Sequence, residues 1–271
     1  MDTAEVLALF DAQMRRAAVP QGAGGRSEQA GGVLRHVEGG ADGWAGVLWS
    51  DLDEGTADAA VAAEAAWADG PQGRGLEFEW KLYAHDRPAD LGARLRAAGF
   101  VPEPPETLMV AEVAALPQEP RLPAGVRLET VADAAGVERA AAAHESAFGT
   151  SAARLRARLL DQLEHAPQTL HLVVAMAGDL PVCSARMEFH PGTDFASLWG
   201  GGTVREWRGR GIYRALVAHR AGLAARRGVR YLQVDATDDS RPILQRLGFA
   251  PLTVTTPYLR PRPPAATEAP R

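Results

Sequence analysis

Val204-Arg205-Glu206-Trp207-Arg208-Gly209-Arg210-Gly211-Ile212-Tyr213-Arg214-Ala215-Leu216-Val217 reads as the end of a strand, a short turn rich in arginine and glycine, and the start of an amphipathic helix. Glycines at 209 and 211 allow a tight turn and keep side chains away from its backbone N–H groups. A helix that follows such a turn points its unpaired first-turn amides, and its partial positive end, back at the same spot. Arg208 and Arg210 add full positive charge. Together these features suit an anion such as a pyrophosphate.

The 271 residues around this stretch suffice for one large domain or two of ordinary size. Apolar residues at 46% and charged residues at 23% are globular values, far from those of disordered chains. No apolar run approaches the roughly 20 residues that cross a bilayer. The acidic start, Met1 to Phe10, does not resemble a signal peptide, and a lone Cys183 excludes an internal disulfide. A cytoplasmic setting is the expectation. A formal charge of −5 argues against a general nucleic-acid binder, and no membrane partner is expected. Basic charge is nevertheless concentrated between Arg205 and Arg230, where eight arginines face one acid, Glu206. That density fits either a solvated helix face or a patch turned toward phosphate.

Residues 4–18 have helical spacing and stop before Pro20; a glycine-rich loop, Gly22 to Gly25, follows. Val33 to Val37 and Trp44 to Leu52 read as strands across the turn 39–43, and Thr56 to Trp67 as a helix capped by Asp53 or Thr56. Leu76 to Tyr83 alternates as a strand, and Ala89 to Ala98 is a short helix stopped by Gly99-Phe100. The proline-rich segment 114–125 is the expected linker between an N-terminal domain, 1–113, and a C-terminal one, 126–260; 261–271 is expected as an unstructured tail.

The C-terminal half begins with a strand at Val126 to Val131 and helices at Asp133 to Phe148 and Ala152 to Glu164. A hairpin follows, Leu170 to Met176 and Val182 to Phe189, then a strand from Ala196 to Val204. Gly200, Gly201 and Gly202 inside that last strand mark a bulge or a close approach by another group. The helix Gly211 to Arg227 precedes a strand to Ala236, a short helix Arg241 to Leu247 and a last strand Leu252 to Leu259. Phe78–Pro102 and Tyr231–Pro251 share one order: strand, Asp near Arg-Pro, short helix, Gly-Phe, Pro. The chain therefore reads as two copies of one unit, of which only the second has the glycine-arginine turn.

The run from Val204 through Arg208-Gly209-Arg210-Gly211 to Leu216 resembles the acetyl-CoA-binding motif of the GNAT superfamily of N-acyltransferases. So do Gly228 after the helix, the strand to Ala236, and Leu244-Gln245-Arg246-Leu247-Gly248-Phe249. The resemblance covers Val126 to Leu259 strongly and the first half weakly. It implies an α/β (α+β) fold with a mixed, mostly antiparallel sheet flanked by helices, in tandem with a degenerate N-terminal copy. It implies acetyl-CoA as acyl donor, with the pyrophosphate on the amides of Gly209, Gly211, Ile212 and Tyr213 and the basic side chains Arg208, Arg210 and Arg214 around it. Thr203 and Val204 would pair their backbone with the pantetheine arm, and Thr237 stands where the family often has a cofactor-contacting asparagine. Two positions depart from the pattern: Tyr213 replaces a small residue, and Leu244 replaces the tyrosine that protonates the leaving thiolate.

No carboxylate occurs from Ala196 to Val204, so a base must come from elsewhere. Glu188, with His190 two residues on, projects from one face of the preceding strand and is the candidate base; Asp235 is an alternative. Tyr258 is the candidate acid in place of Leu244. Cys183 reads as a small core residue. No metal-ligand spacing, Gly-x-Ser-x-Gly elbow or phosphate-binding Gly-x-x-x-x-Gly-Lys-Ser/Thr loop is present. The expected activity is transfer of an acetyl group to a primary amine of a small molecule or peptide. The competing expectation is a non-catalytic acyl-CoA-binding or interaction module.

Overall fold

The computed structural model describes residues 1–20, 24–38 and 43–261. Residues 22 and 23 of the loop 22–25, most of the turn 39–43, and the tail beyond Pro261 lie outside the described residues. In chain order the elements are α1 (Thr3–Phe10), β1 (Arg26–Ala30), β2 (Val33–Val37), β3 (Trp44–Ser50), α2 (Ala57–Asp69), β4 (Glu77–Tyr83), α3 (Leu91–Ala97), β5 (Val101–Pro102) and β6 (Glu106–Glu112). They continue with β7 (Val126–Val131), α4 (Ala134–Phe148), α5 (Ala153–His165), β8 (Leu170–Ala177), β9 (Leu180–Phe189), β10 (Phe195–Thr203), α6 (Ile212–Arg226), β11 (Tyr231–Ala236), α7 (Arg241–Arg246) and β12 (Ala250–Arg260).

Two compact units form, each assembled from two stretches of chain: Met1–Met14 with Thr107–Leu252, and Arg15–Glu106 with the segment from Thr253 on. In the first, six strands run in the order β6-β11-β10-β9-β8-β7, antiparallel except for β10 beside β11. Strand alternation sends side chains to two faces. Leu170, Leu172 and Val174 of β8 pack with Val137, Ala140 and Leu159 under α4 and α5. Met187, Ala196, Leu198 and Leu232 pack with Val217, Ala221, Leu244 and Phe249 under α6 and α7. This leaves Phe195, Ser197 and Trp199 of β10 on the α4–α5 face. Phe10 of α1 meets Phe195 edge-on at 5.6 Å, and Gln13 exchanges two 2.8 Å hydrogen bonds with Asp194.

In the second unit the order is β1-β2-β3-β4-β12, with β5 also pairing β12. One core holds Val33, Val37, Val47, Phe78 and Trp80 against Val61, Leu91, Leu95 and Tyr258. Arg35 and Glu64 are ion-paired at 2.6 Å inside it, and the guanidinium stacks over Trp67 at 3.9 Å.

The repeat read in the sequence is a structural one. β3-α2-β4-α3 and β10-α6-β11-α7 each place two parallel strands around a helix, pairing Trp44–Val47 with Glu77–Trp80 and Phe195–Ser197 with Tyr231–Gln233. Each copy is then closed by the strand that follows the other: β6 pairs β11, and β12 pairs β4. The last strand was expected by sequence order in the domain 126–260. From Thr253 on it belongs instead to the unit built around the first copy, because its backbone partners are there.

Candidate functional site

β10 and β11 pair over three residues only, and Ser197 opposite Gln233 is the last pair. Beyond it, Leu198 to Thr203 keep their ladder to β9, and Val234 to Ala236 keep theirs to β6. The two strands splay, and the β10 edge turned toward the opening has backbone groups outside any ladder. The three glycines form the expected bulge: the register to β9 skips between Gly200 and Gly202, with Gly200 at φ +68° and Gly201 at φ +90°. Gly202 has no room for a side chain, since a Cβ there would meet the Phe148 ring and lie 2.9 Å from Ala147 Cβ.

The chain leaves β10 with Val204 N–H donating to Val182 O at 2.9 Å and makes one 3₁₀ turn, Arg205–Trp207. Arg208 then folds back on the strand it left: its Nε donates to Thr203 O at 2.9 Å and its terminal nitrogen to Ala147 O at 3.1 Å. Arg210 lies over the Trp207 ring at 4.4 Å and donates to Glu206 O. Gly209 (φ +75°) and Gly211 (φ +82°) are both left-handed, which only glycine adopts without cost. Gly211 is the N-cap of α6 and offers no side chain to the first-turn amides. The corresponding turn of the first copy differs. There the Asp53 carboxylate accepts the N–H groups of Gly55 and Thr56, each at 2.9 Å, and the Thr56 hydroxyl at 2.8 Å. An internal carboxylate thus closes the turn that leads into α2.

The fold gathers Thr203, Val204, Arg208, Gly209, Arg210, Gly211, Ile212, Tyr213 and Arg214 at one end of β10. Ile212 is buried and anchors the helix in the core under β8 and β9. Thr203 donates its hydroxyl to Cys183 Sγ at 3.3 Å, and burial pushes the Cys183 thiol up to about 11, where it stays protonated. Tyr213 turns inward over Gly201. Burial raises its phenol, against the pull of the nearby Arg220. Arg220, fully buried, donates to Leu216 O and Arg186 O and so ties α6 to β9. Thr237 follows β11, the other arm of the splay, where its carbonyl accepts the N–H groups of Ser240 and Arg241.

The proposed catalytic pair separates. Glu188 is 4% exposed on the α4–α5 face and is held by Arg186 at 3.0 Å, with Arg158 of α5 at 3.9 Å. Tyr258 is buried in the core of the other unit, paired with Trp80 and Pro102 and with Arg96 over its ring. Leu244 is core. Asp235 lies on β11 opposite Leu108.

Sequence reading passed over Ser197, Trp199 and Gln233. His190 Nε2 and Ser197 Oγ are 2.6 Å apart, and the Gln233 side-chain amide donates to the same Ser197 oxygen. Nothing in an apolar strand pattern marks such a chain, whose members come from two strands and the turn after β9. Among the described residues no cluster of three or more His, Cys, Asp or Glu could hold a metal, and no helix is long and apolar enough to cross a membrane.

No protein-family model matches the chain, and no curated protein matches its sequence. Solved structures do match. A GCN5-related N-acetyltransferase from Kribbella flavida is 19% identical with a TM-score of 0.66, over 96% of both chains. One from Sphaerobacter thermophilus is 18% identical with a TM-score of 0.61, over 87% of this chain and 79% of that one. A tandem GNAT protein from the clavulanic acid biosynthesis pathway is 17% identical with a TM-score of 0.62, over 96% and 94%. The fold is thus the GNAT fold in tandem arrangement.

Proposed function

We propose that the chain is an N-acyltransferase that takes an acetyl group from acetyl-CoA and delivers it to a primary amine of a small molecule or peptide. One observation carries this: a strand that leaves its parallel neighbour after three pairs runs directly into two left-handed glycines and a helix start with no side-chain cap.

The residues present fit an acyl-CoA. Amides of Gly211, Ile212 and Tyr213 would hold the pyrophosphate, with Arg208, Arg210 and Arg214 around it and no side chain on Gly209 or Gly211 to intrude. Thr203 and Val204 would pair with the pantetheine arm as an added strand, and Thr237 borders the other arm of the splay. From Val204 back to Leu198 the strand spans about 20 Å, so an arm laid along it ends near Trp199 and Ser197. The donor supplies an activated thioester. The protein supplies backbone N–H groups on the open edge of β10 to stabilise the developing oxyanion and a polar α4–α5 face to receive the amine. Glu188, held by Arg186, is a carboxylate on that face.

Isothermal titration with acetyl-CoA tests the binding reading, and no heat at sub-millimolar concentration sinks it. The second reading, a non-catalytic acyl-CoA-binding module, draws on Leu244, a buried core residue with no proton to donate. Release of free thiol with a panel of amines separates the two, since a pure binder releases none.

A further inference from the structure

Resting on the acyl-transfer reading, the geometry points to a buried proton relay at the vertex of the splay, in which Ser197, held by Gln233, passes a proton from the acceptor amine to His190.

Ser197 is 2% exposed and Gln233 6%. They form the last pair of the β10–β11 ladder, so their side chains stand at the point where the strands part. Because Gln233 Nε2 donates into Ser197 Oγ, the hydroxyl proton is directed at His190 Nε2, 2.6 Å away. That fixes the imidazole as an acceptor at Nε2 with its proton on Nδ1. His190 is half-buried just past the end of β9, from where it would release a proton to solvent. Charged groups near it include Glu188 of β9, with Arg186 and Arg158 of α5 on that carboxylate, and Asp194 in the following turn, tied to Gln13, while Asp235 shares the face of Gln233 on β11. Burial lowers the imidazole's affinity for protons and the Glu188 charge opposes this, so it is neutral and available near pH 7.

A ligand is also indicated independently. Gln233 Oε1 and Trp199 Nε1 are buried without a hydrogen-bond partner among the described residues, on the same face as Ser197. Buried polar atoms left unpaired are costly, and native proteins keep few of them. An acceptor here wants an N–H and a donor wants a lone pair. A primary amine entering with a bound water supplies both.

The protons balance. The ammonium gives one proton to Ser197 Oγ as the serine proton moves to His190 Nε2. The freed amine attacks the thioester carbonyl, the N–C bond forms and the C–S bond breaks. The second amine proton goes to the departing sulfur, which accounts for a site with no tyrosine in place of Leu244.

Ser197→Ala and His190→Gln should each lower kcat about 100-fold or more while the acetyl-CoA Kd stays within twofold. Ser197→Thr, which keeps the hydroxyl, should retain most of the rate. His190→Gln should also remove the acidic limb of the kcat profile. Without turnover, imidazole ¹⁵N NMR at pH 7 should show His190 protonated at Nδ1 and bare at Nε2, with the Nε2 signal moving in Ser197→Ala. Near-normal kcat in both variants of an active enzyme overturns the relay alone, as does a His190 protonated at Nε2. A 100-fold loss in Glu188→Gln with none in His190→Gln hands the base to Glu188. Acetyl-CoA binding by the wild type with no thiol release from any amine removes the transfer reading and the relay together.

Discussion

The Tyr213 ring occupies the space where a side chain on Gly201 would stand: a Cβ built there lies 2.6 Å from Tyr213 Cε2. The bulged strand and the first turn of α6 therefore fit each other as glycine against aromatic. Gly201→Ala adds this clash to a backbone at φ +90° and should cost about 1–3 kcal/mol. Tyr213→Ala in the same chain should recover the steric part only. A double-mutant cycle by urea denaturation measures the coupling, and strictly additive losses would show that the two residues do not share this space.

Gly211→Asp places a carboxylate, and a residue less at ease at φ +82°, at the uncapped start of α6. It should abolish acetyl-CoA binding by calorimetry and leave the far-ultraviolet circular dichroism unchanged. Unaltered affinity would mean that the anion site is elsewhere.

One acetyl-CoA should bind per chain. In the first copy the turn before α2 is closed by the Asp53 carboxylate, and its sequence carries Asp51, Glu54 and Asp58 where the second copy has arginines. Hydrogen bonds from Thr56 and Gly55 hold the Asp53 carboxyl below its usual range, so it remains an anion well into the acid. A titration stoichiometry near two would contradict this.

His171 and His219 meet Nε2 to Nε2 at 3.0 Å between β8 and α6, so one ring must donate and the other accept. Burial, then the neighbouring His219 and Arg220, hold His171 down to about 4, and burial lowers His219 as well. Both are neutral in the fold and would take protons more readily when unfolded. Stability is therefore complete above about pH 6.5 and falls as the pH drops toward 4. Thermal melts across that range should show it, and His171→Gln should flatten the dependence. A melting temperature that holds steady from pH 7 to 4 would refute the assignment.

In the second unit, Arg35→Ala would strand the buried Glu64, whose carboxyl burial already raises against the pull of Arg35. The expected loss is about 3–5 kcal/mol, read by chemical denaturation. Replacing both residues with apolar ones of similar volume should cost far less.

What could be read without a structure was whatever depends on near neighbours in the chain. The alternation of β8, β9 and β10, the glycine-arginine turn before α6, and the Gly-Phe stops after α3 and α7 each involve residues within a few positions of one another. β1 escaped because Arg26–Ala30 is a polar edge strand with no buried face, so no hydrophobic period marks it. β6 was passed over although Leu108 to Ala111 are fully buried. A run apolar on both faces has no alternation to detect.

The sequence by itself determined the repeated unit, the glycine-arginine turn and the lack of a proton donor at Leu244, because backbone freedom and side-chain type are local properties. Only the tertiary structure decided that β6 and β12 trade places between the copies, that Tyr258 lies in the other unit's core, and that the Asp53 carboxylate closes the turn before α2. It alone brought His190, Ser197 and Gln233 into one hydrogen-bonded chain. Strand partners are chosen by backbone hydrogen bonds and buried faces that come together from distant positions, and such pairings leave no periodic trace along the chain.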